Sequence, residues 1–356
     1  MEEKVDIKKE DSDILKESCF LTACKGLKTD FTPIWLMRQA GRYMKEYRDL
    51  RAKVPFIDLC KNSDLACEVT VTAARKIGVD AAIIFSDILL ILQPMGFQIE
   101  YDEGLGPRIH NPIQEPKDVD SLLDFNVMSE LFYVFDAIKK VRSELDKTIP
   151  LIGFSGAPFT LASYLIEGGG SKNFLKTKRF MYKEKNAWDR LMENFVKPLS
   201  GYLSSQIDAG AQALQIFDSW VGCLSRSDYR EYVMPHMKSL LNSIGGRVPI
   251  IHFGTGTSVF LEDMKEAGGD VIGLDFRVDL MDAWNRLGKV SVQGNLDPCV
   301  LLSDRKLIAK KAGEILQAVN MHPGHIFNLG HGVLPETPED NVKFLVDFVH
   351  EWRVRN

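Results

Sequence analysis

Two arginines at the end of an apolar run are the residues of this sequence best suited to binding an anion. Arg38 and Arg42 follow the run at residues 34–37, and Gly41 between them allows a turn that brings both guanidinium groups to one side. A guanidinium group grips a carboxylate through paired hydrogen bonds, which lysine cannot do. The spacing therefore predicts a carboxylate or phosphate site. The alternative is a pair of surface ion pairs, which would contribute little to stability.

Four other candidate side chains also stand at the ends of apolar runs. Asp87 ends "IIFSD", where its carboxylate could accept N–H groups or stabilise a developing cation, or could only cap a helix. Asp218 and Ser219 pose the same choice in "IFDS". His331 lies between two glycines, which leave room for close approach, and is otherwise a structural hydrogen-bonding residue. Because each of these strand ends supplies a group that can form hydrogen bonds or carry charge, together they predict a ligand site.

Tyr164 lies in a segment, "APFTLASYLIEGGGS", with two interpretations. If the segment is helical, Tyr164 packs on one face and the three glycines form only a turn. If it is a long loop closed by glycines, it could act as a mobile cover over a cleft. The sequence leaves both open.

Eight short apolar runs could position these side chains. They are rich in β-branched and aromatic residues and lack in/out alternation, as is typical of parallel strands covered on both faces. Segments with a helical pattern separate most of them; the last helix is predicted to begin with Thr337 as its N-cap and Pro338 at its first position. The runs are residues 33–37, 81–87, 150–156, 213–219, 248–254, 271–276, 290–295 and 325–330.

This succession predicts an α/β fold, a (β/α)₈ TIM barrel, with a single domain over residues 21–356 and extended loops at the C-terminal face. Residues 96–120 are predicted to form an irregular or hairpin-like excursion. A doubly wound open sheet is the alternative, but no G-x-G-x-x-G follows the first run. Active sites of such barrels form where the strands end, so the candidate side chains should converge there. Strand-end polar groups at His252, Asp275, Arg277 and Asn295 should lie in the same region.

Composition excludes several other classes of function. The chain has 356 residues and a net charge of −5, which gives no reason to expect binding to nucleic acid or an anionic membrane. Residues 1–20 are predicted to be a charged tail without a signal-peptide core, which favours the cytoplasm. The six cysteines include no CxxC pair, and no His/Cys pair has zinc-ligand spacing. "HFGTGT" is similar to a phosphate loop but lacks the lysine of a Walker motif.

Six blocks of the sequence together resemble the uroporphyrinogen decarboxylase family of haem biosynthesis. They occur in the family's order and span residues 20–352. The resemblance implies a (β/α)₈ barrel that removes CO₂ from the four acetate side chains of uroporphyrinogen III, giving coproporphyrinogen III, without metal or organic cofactor. It also implies a homodimer. The blocks are "PIWLMRQAGRYMKEYR", "IIFSDIL", "GFSGAPFTLASYLIEGGGS", "IFDSWVG", "GNLDP" and "FNLGHGVLPETPEDNV".

The same resemblance implies roles for individual residues. Arginines 38 and 42 would grip substrate carboxylates, and the aspartate at position 87 would accept pyrrole N–H groups and stabilise a cationic intermediate. Lys45 departs from the family, which usually has proline there. The implied catalytic residues are Arg38, Asp87, Tyr164 and His331, and the implied substrate-binding residues are Arg38, Gln39, Ala40, Gly41, Arg42, Asp87, Tyr164, Ser219 and His331.

Two other functions and one chemical question stay open at this point. A zinc- and cobamide-dependent methyltransferase has a related barrel, and a non-catalytic tetrapyrrole-binding protein would have the same cleft. The donor of the proton is also open. Arginine is a poor acid because its pKa exceeds about 12. Asp87 would need a raised pKa, whereas a neighbouring arginine is expected to lower it.

Overall fold

The computed structural model describes residues 18–102 and 106–352. The predicted N-terminal tail, residues 1–20, falls mostly on residues 1–17, outside the described part. The first described helix begins at Cys19, and the Ser18 hydroxyl caps it by accepting the N–H of Leu21.

Seven parallel strands form one curved sheet whose spatial order follows the chain. The order is β1-β4-β5-β6-β7-β8-β9, and every neighbouring pair is parallel. β2 and β3 form a separate antiparallel hairpin in the connection after β1, as predicted for residues 96–120. The strands are β1 Ala82–Ile83, β2 Ile99–Asp102, β3 Gly106–Ile109, β4 Leu151–Gly156, β5 Ala213–Asp218, β6 Ile250–Gly254, β7 Val271–Gly273, β8 Ser291–Gln293 and β9 His325–Ile326.

The segment at residues 33–37 lies between the last strand of the sheet and the first. Ile34 forms a parallel bridge with Phe327, just beyond β9. Its carbonyl accepts the N–H of Asp80, two residues before β1, at 2.9 Å. This first predicted strand is therefore present as a single bridge rather than a ladder. With this segment between β9 and β1, the predicted α/β barrel is confirmed.

Helices connect the strands and cover the outside of the sheet. α4 shows how the sequence sets their limits: Asn62 accepts two backbone N–H groups at its start, and Gly78 ends it in the left-handed conformation. The helices are α1 Cys19–Cys24, α2 Lys45–Arg51, α3 Phe56–Lys61, α4 Ser63–Ile77, α5 Pro116–Val119, α6 Val127–Glu130, α7 Phe132–Glu144, α8 Pro158–Glu167, α9 Leu175–Lys183, α10 Lys185–Ala209, α11 Arg226–Tyr232, α12 Met234–Ile244, α13 Leu261–Ala267, α14 Leu280–Leu287, α15 Arg305–Val319 and α16 Glu339–Glu351.

The strands are buried on both faces, which accounts for their unbroken apolar runs. Every residue of β4 and of β6 is buried. Trp35, Phe159 and Phe253 are among the largest fully buried side chains of the core. None of the helices in the described part has the length and apolarity needed to cross a membrane.

Candidate active site

Arg38 stands at the turn that follows the bridge at Ile34. Its backbone is in the left-handed region, with φ of 61°, which is uncommon for a residue with a side chain. The N–H of Gln39 closes the turn onto the carbonyl of Leu36 at 3.0 Å. Such strain persists only where surrounding contacts impose it, and it is found most often at functional sites. Here it turns the chain out of the core at the arginine.

The two predicted anion-binding arginines are both exposed. Within residues 18–102 and 106–352, neither Arg38 nor Arg42 has a carboxylate partner or a side-chain hydrogen bond. Arg48 instead donates to the backbone carbonyls of Arg42 and Tyr43, at 2.9 and 2.5 Å, and so holds the turn from behind. The two guanidinium groups are therefore available to an anionic ligand, while Arg48 is structural.

The residues between the two arginines shape the turn. The side chain of Gln39 is fully buried, and its backbone carbonyl accepts the Tyr43 hydroxyl at 2.6 Å. A Cβ at Gly41 would lie 3.0 Å from the carbonyl oxygen of Arg38, so glycine allows a close approach here. Ala40 is half-buried. Gln39 therefore supports the turn from within the core, because its backbone N–H and carbonyl both bond to the protein.

Asp87 is half-buried four residues beyond β1. Its Oδ1 accepts the N–H of Leu89 at 2.8 Å and the hydroxyl of Tyr101 at 2.5 Å. Among the described residues, none donates to Oδ2. The carboxylate therefore has one oxygen committed to the protein and one available to a ligand. The alternative role of Asp87 as a helix cap applies only in part. Asp87 accepts the N–H of Leu89, but the element that follows is a single 3₁₀ turn, Leu90–Leu92, and not an α-helix.

Burial raises the pKa of Asp87 above its ordinary value, although the Tyr101 and Leu89 hydrogen bonds and the charge of Arg38 oppose the rise. The neighbouring arginine lowers this pKa, as expected, but burial outweighs its charge and the net shift is upward. Loss of water around a carboxylate can outweigh one nearby cation when that cation is itself exposed to solvent. Asp87 can accordingly be protonated closer to neutral pH than an ordinary aspartate.

Tyr164 lies on α8, so the helical interpretation of its segment is correct. Gly168 ends this helix in the left-handed conformation, and Gly169 bridges to Arg108 on the hairpin. The ring of Tyr164 packs against Trp220 with 3.8 Å between centroids. Trp220 follows Ser219, which is half-buried, so the same contact brings the end of β5 to Tyr164.

His331 lies beyond β9, beside the predicted arginine. Its Nδ1 accepts the N–H of Gly332 at 2.8 Å, so the neutral ring carries its proton on Nε2. Burial, together with the charges of Arg38 and Arg277, lowers the pKa of His331, while Asp275 opposes the shift. The imidazole is therefore neutral at pH 7.

Other strand-end groups serve the scaffold. His252 is fully buried, and its Nδ1 donates to the carbonyl of Gly268 at 3.3 Å. Asp275 accepts the N–H of Gly256 at 2.8 Å and Nη1 of Arg277 at 2.5 Å. Asn295 donates to the carbonyl of Asp275 at 2.8 Å. Polar side chains were predicted to meet at the strand ends, but these three residues bond to the loops there and stabilise them.

The charge of Arg38 acts on three of the predicted site residues. It lowers the pKa of Asp87, Tyr164 and His331, although burial raises the first two overall. These four side chains consequently form one electrostatic cluster at the barrel mouth. Sequence reasoning missed Tyr101, which donates to Asp87 from the hairpin.

A zinc-dependent enzyme would need a group of metal-ligating side chains at this site. Within residues 18–102 and 106–352, no group of three or more His, Cys, Asp or Glu side chains is placed to hold an ion. The cluster instead combines unpaired guanidinium groups with one half-buried carboxylate. A parallel barrel with such a cluster at its strand ends is suited to an enzyme that acts on a carboxylate-bearing small molecule.

Comparison with known proteins identifies the family. The family model "Uroporphyrinogen decarboxylase (URO-D)" matches residues 15–352. A uroporphyrinogen decarboxylase of Sorangium cellulosum is 50% identical over 333 residues, covering 93% of this chain and 95% of the relative. One of Carboxydothermus hydrogenoformans is 50% identical over 334 residues, with the same coverage. The chain belongs to the uroporphyrinogen decarboxylase family, which confirms the resemblance of the sequence blocks.

A solved structure shows the same fold in a distant protein. A methyltransferase from Methanosarcina mazei aligns with a TM-score of 0.77 and 19% identity, over 93% of this chain and 97% of that one. At this identity the likeness concerns the fold alone.

Proposed function

We propose that this protein is a carboxy-lyase that converts uroporphyrinogen III to coproporphyrinogen III by removing CO₂ from four acetate side chains. Membership of the family over residues 15–352 supports the substrate and the reaction. The observation that carries the site assignment is the position of Arg38: it has no carboxylate partner among the described residues, yet its charge acts on both Asp87 and His331.

The chemistry requires a place for electrons when the carbon–carbon bond breaks. A proton added to a pyrrole carbon makes the ring cationic. The electron pair of the bond to the carboxylate then neutralises that cation, so that CO₂ leaves and an exocyclic methylene remains. Protonation of the methylene and loss of the ring proton give a methyl group. Each cycle consumes one proton net and releases one CO₂.

The site can supply what each step requires. Arg38 and Arg42 bind acetate or propionate carboxylates through charge-assisted hydrogen bonds, which fix the ring over the barrel mouth. Asp87 Oδ2 accepts pyrrole N–H groups, and its negative charge stabilises the cationic ring most when the positive charge is greatest. Tyr164, Ser219 and His331 line the cleft, and the neutral His331 adds no further repulsion toward the cation.

Homodimer formation and a cytoplasmic location belong to the same proposal. All six cysteines are free thiols, as is usual for proteins of a reducing compartment. The family resemblance supports the dimer. Sedimentation equilibrium of the pure protein tests the dimer, since a monomer at micromolar concentration would contradict it.

The activity is tested by anaerobic incubation of metal-stripped protein with uroporphyrinogen III. Products are then oxidised and separated by their number of carboxylates. We expect intermediates with progressively fewer carboxylates and a four-carboxylate end product. Unchanged substrate from folded protein would contradict the proposal. A methyltransferase would instead retain zinc before stripping, and metal analysis of the untreated protein distinguishes it.

Two variants test the site. Arg38→Ala and Asp87→Asn should each lower kcat/KM by about a hundredfold or more, as expected for lost charge stabilisation in a transition state. Arg286→Ala is the matched control, because Arg286 pairs with Glu262 on the outer helices, at 2.8 Å. Full activity of either site variant would show that the site has been assigned wrongly.

A further inference from the structure

The hairpin β2–β3 sends one side chain to the candidate catalytic carboxylate. Tyr101, on β2, donates its hydroxyl to Asp87 Oδ1 at 2.5 Å, although the two residues belong to different elements. The N–H of Leu89 occupies the same oxygen, at 2.8 Å. Oδ1 is thus saturated by the protein, and the rotation of the carboxylate about its bond to Cβ is restrained.

Packing holds the hydroxyl in place. The ring of Tyr101 contacts Phe56 with 4.8 Å between centroids, and Phe56 in turn lies 6.1 Å from Phe85, two residues before the aspartate. The guanidinium of Arg51 also lies over the ring of Phe56, 5.7 Å from its centroid. These contacts restrain the ring of Tyr101 and so keep its hydroxyl within hydrogen-bond distance of Asp87.

The hairpin is also tied to the helix that carries Tyr164. Ile109, at the end of β3, donates its N–H to the carbonyl of Gly168 at 3.0 Å. Arg108 pairs with Gly169 through an isolated antiparallel bridge. The hairpin is consequently fixed on the barrel at the same side as Tyr164, and it presents Tyr101 at a set distance from β1.

We propose that Tyr101 is a positioning residue, which fixes the Asp87 carboxylate so that Oδ1 is committed to the protein and Oδ2 points its lone pairs at the substrate. This inference rests on the proposed function, in which Oδ2 receives the pyrrole N–H groups. Without the hydroxyl, Oδ1 would compete with Oδ2 for the same N–H groups, and the carboxylate would no longer be held in one orientation.

The hydrogen bond also favours the charged form of Asp87. Burial raises the pKa of Asp87, and the Tyr101 hydroxyl is the first of the groups that oppose the rise. Burial, followed by the charge and hydrogen bond of Asp87, raises the pKa of Tyr101, so its hydroxyl keeps its proton throughout the neutral range. Removing the hydroxyl should leave a carboxylate that protonates at higher pH. The ionisable and charged groups that act on or with Asp87 are Arg38, Cys60, Tyr101, Tyr164 and Tyr202.

The test compares Tyr101→Phe with Tyr133→Phe. The first variant keeps the ring that packs on Phe56 and removes only the hydroxyl. Tyr133 is a buried tyrosine on α7 that the site does not use, so its variant controls for loss of a buried hydroxyl. Uroporphyrinogen III turnover is measured from pH 5 to 9. In Tyr101→Phe we expect the acid limb of the plot of kcat/KM against pH to shift by about one unit to higher pH. On that limb kcat/KM should be about tenfold lower than in wild type, and the difference should be smaller at high pH.

Two results would overturn the inference. An acid limb at the wild-type position, with activity at pH 7 within about twofold of wild type, would show that the hydroxyl positions nothing. A loss of equal size at every pH would indicate a packing role only. Tyr133→Phe should retain the wild-type profile.

A second measurement is independent of turnover. The Asp87 carboxyl is titrated by ¹³C NMR in protein labelled at aspartate side chains, with Asp87→Asn used to assign its signal. In Tyr101→Phe the midpoint should rise by about one pH unit relative to wild type. An unchanged midpoint would overturn the inference even if the variant were inactive. If wild-type protein failed to turn over uroporphyrinogen, the function would be wrong while the titration still reported on the contact.

Discussion

The side chain of Arg38 lies directly against the backbone of Gly332. A Cβ added at Gly332 would be 2.5 Å from Cδ and 2.7 Å from Cγ of the arginine. The N–H of the same glycine donates to Nδ1 of His331. A single glycine therefore positions two site residues that are almost three hundred positions apart in the sequence, and it does so because it has no side chain.

Gly332→Ala should impair activity without unfolding the protein. The φ of Gly332 lies outside the left-handed region, so alanine adds no backbone strain, and the clashing atoms belong to a flexible side chain that can move. Displacement of the guanidinium by about 1 Å should lower kcat/KM for uroporphyrinogen by roughly 10- to 100-fold. The melting temperature should change by no more than about 3 °C.

Gly201→Ala is the matched control, because Gly201 lies within α10 and an added Cβ there would meet only Val127, at 3.6 Å. Its activity should equal that of wild type. Wild-type kcat/KM in Gly332→Ala would show that the contact with Arg38 does not set the position of the guanidinium during catalysis.

The left-handed backbone at Arg38 predicts that function and stability conflict at this residue. Arg38→Gly and Arg38→Ala both remove the guanidinium and should both be inactive. The glycine variant should nevertheless be more stable than the alanine variant by about 1 kcal/mol in urea unfolding, because only glycine occupies φ of 61° without strain. Arg42, whose φ is not positive, is the control, and there glycine should be less stable than alanine. The same order at both positions would contradict the prediction.

The barrel, and the position of the two arginines just after a strand segment, could be predicted from sequence because both depend on local patterns. Continuous apolar runs mark strands that are buried on both faces, and the polar residue after each run marks the mouth. The run at residues 33–37 nevertheless forms only a bridge. Side chains accept two of its N–H groups that no strand accepts: Asp80 accepts the N–H of Ile34, and Asn328 that of Met37. Such long-range partners leave no periodic signal.

Tyr101 and the pKa of Asp87 could not be predicted for a related reason. The hydroxyl reaches the carboxylate only after the hairpin has folded back, and "IEYD" indicates no more than a strand. The sign of the pKa shift depends on how much water Asp87 loses, which a list of charged neighbours cannot give. The N-cap of α16 was misplaced by one residue: it is Pro338, and Thr337 makes no cap hydrogen bond.

Lys45→Pro should stabilise the protein slightly. Lys45 is the first residue of α2, the position where proline is best tolerated, and Met44 before it already has the extended backbone that proline requires. The N–H that would be lost makes only a 3.5 Å contact with Glu339. Reduced freedom of the unfolded chain should add about 0.5 kcal/mol to the free energy of unfolding, measured in urea. Lys45→Ala, which also removes the exposed ion pair with Asp49, should show no such gain. Equal stability of the two variants would contradict this explanation.

The buried carboxyl group of Asp218 should make the free energy of unfolding depend on pH, and one substitution should remove this contribution. It is fully buried at the end of β5; Oδ1 accepts the Thr160 hydroxyl at 2.9 Å, and Oδ2 has no partner among the described residues. Burial raises the pKa of Asp218 to about 7. Between pH 5 and 7 the native state keeps this proton and the unfolded state does not, so stability falls as pH rises through that window and levels off above it.

The fall attributable to Asp218 should be on the order of 3 kcal/mol from pH 5 to 8. Asp218→Asn cannot ionise, and its Oδ1 can still accept the Thr160 hydroxyl. If its amide N–H₂ group finds no acceptor, the variant loses stability by an amount that does not depend on pH. The quantity to compare is therefore the difference in unfolding free energy between variant and wild type, which should shift in favour of the variant as pH rises. Asp124→Asn, at an exposed position, should show no such shift. A constant difference between Asp218→Asn and wild type across this range would mean that Asp218 is already ionised in the native protein at pH 5, despite its burial.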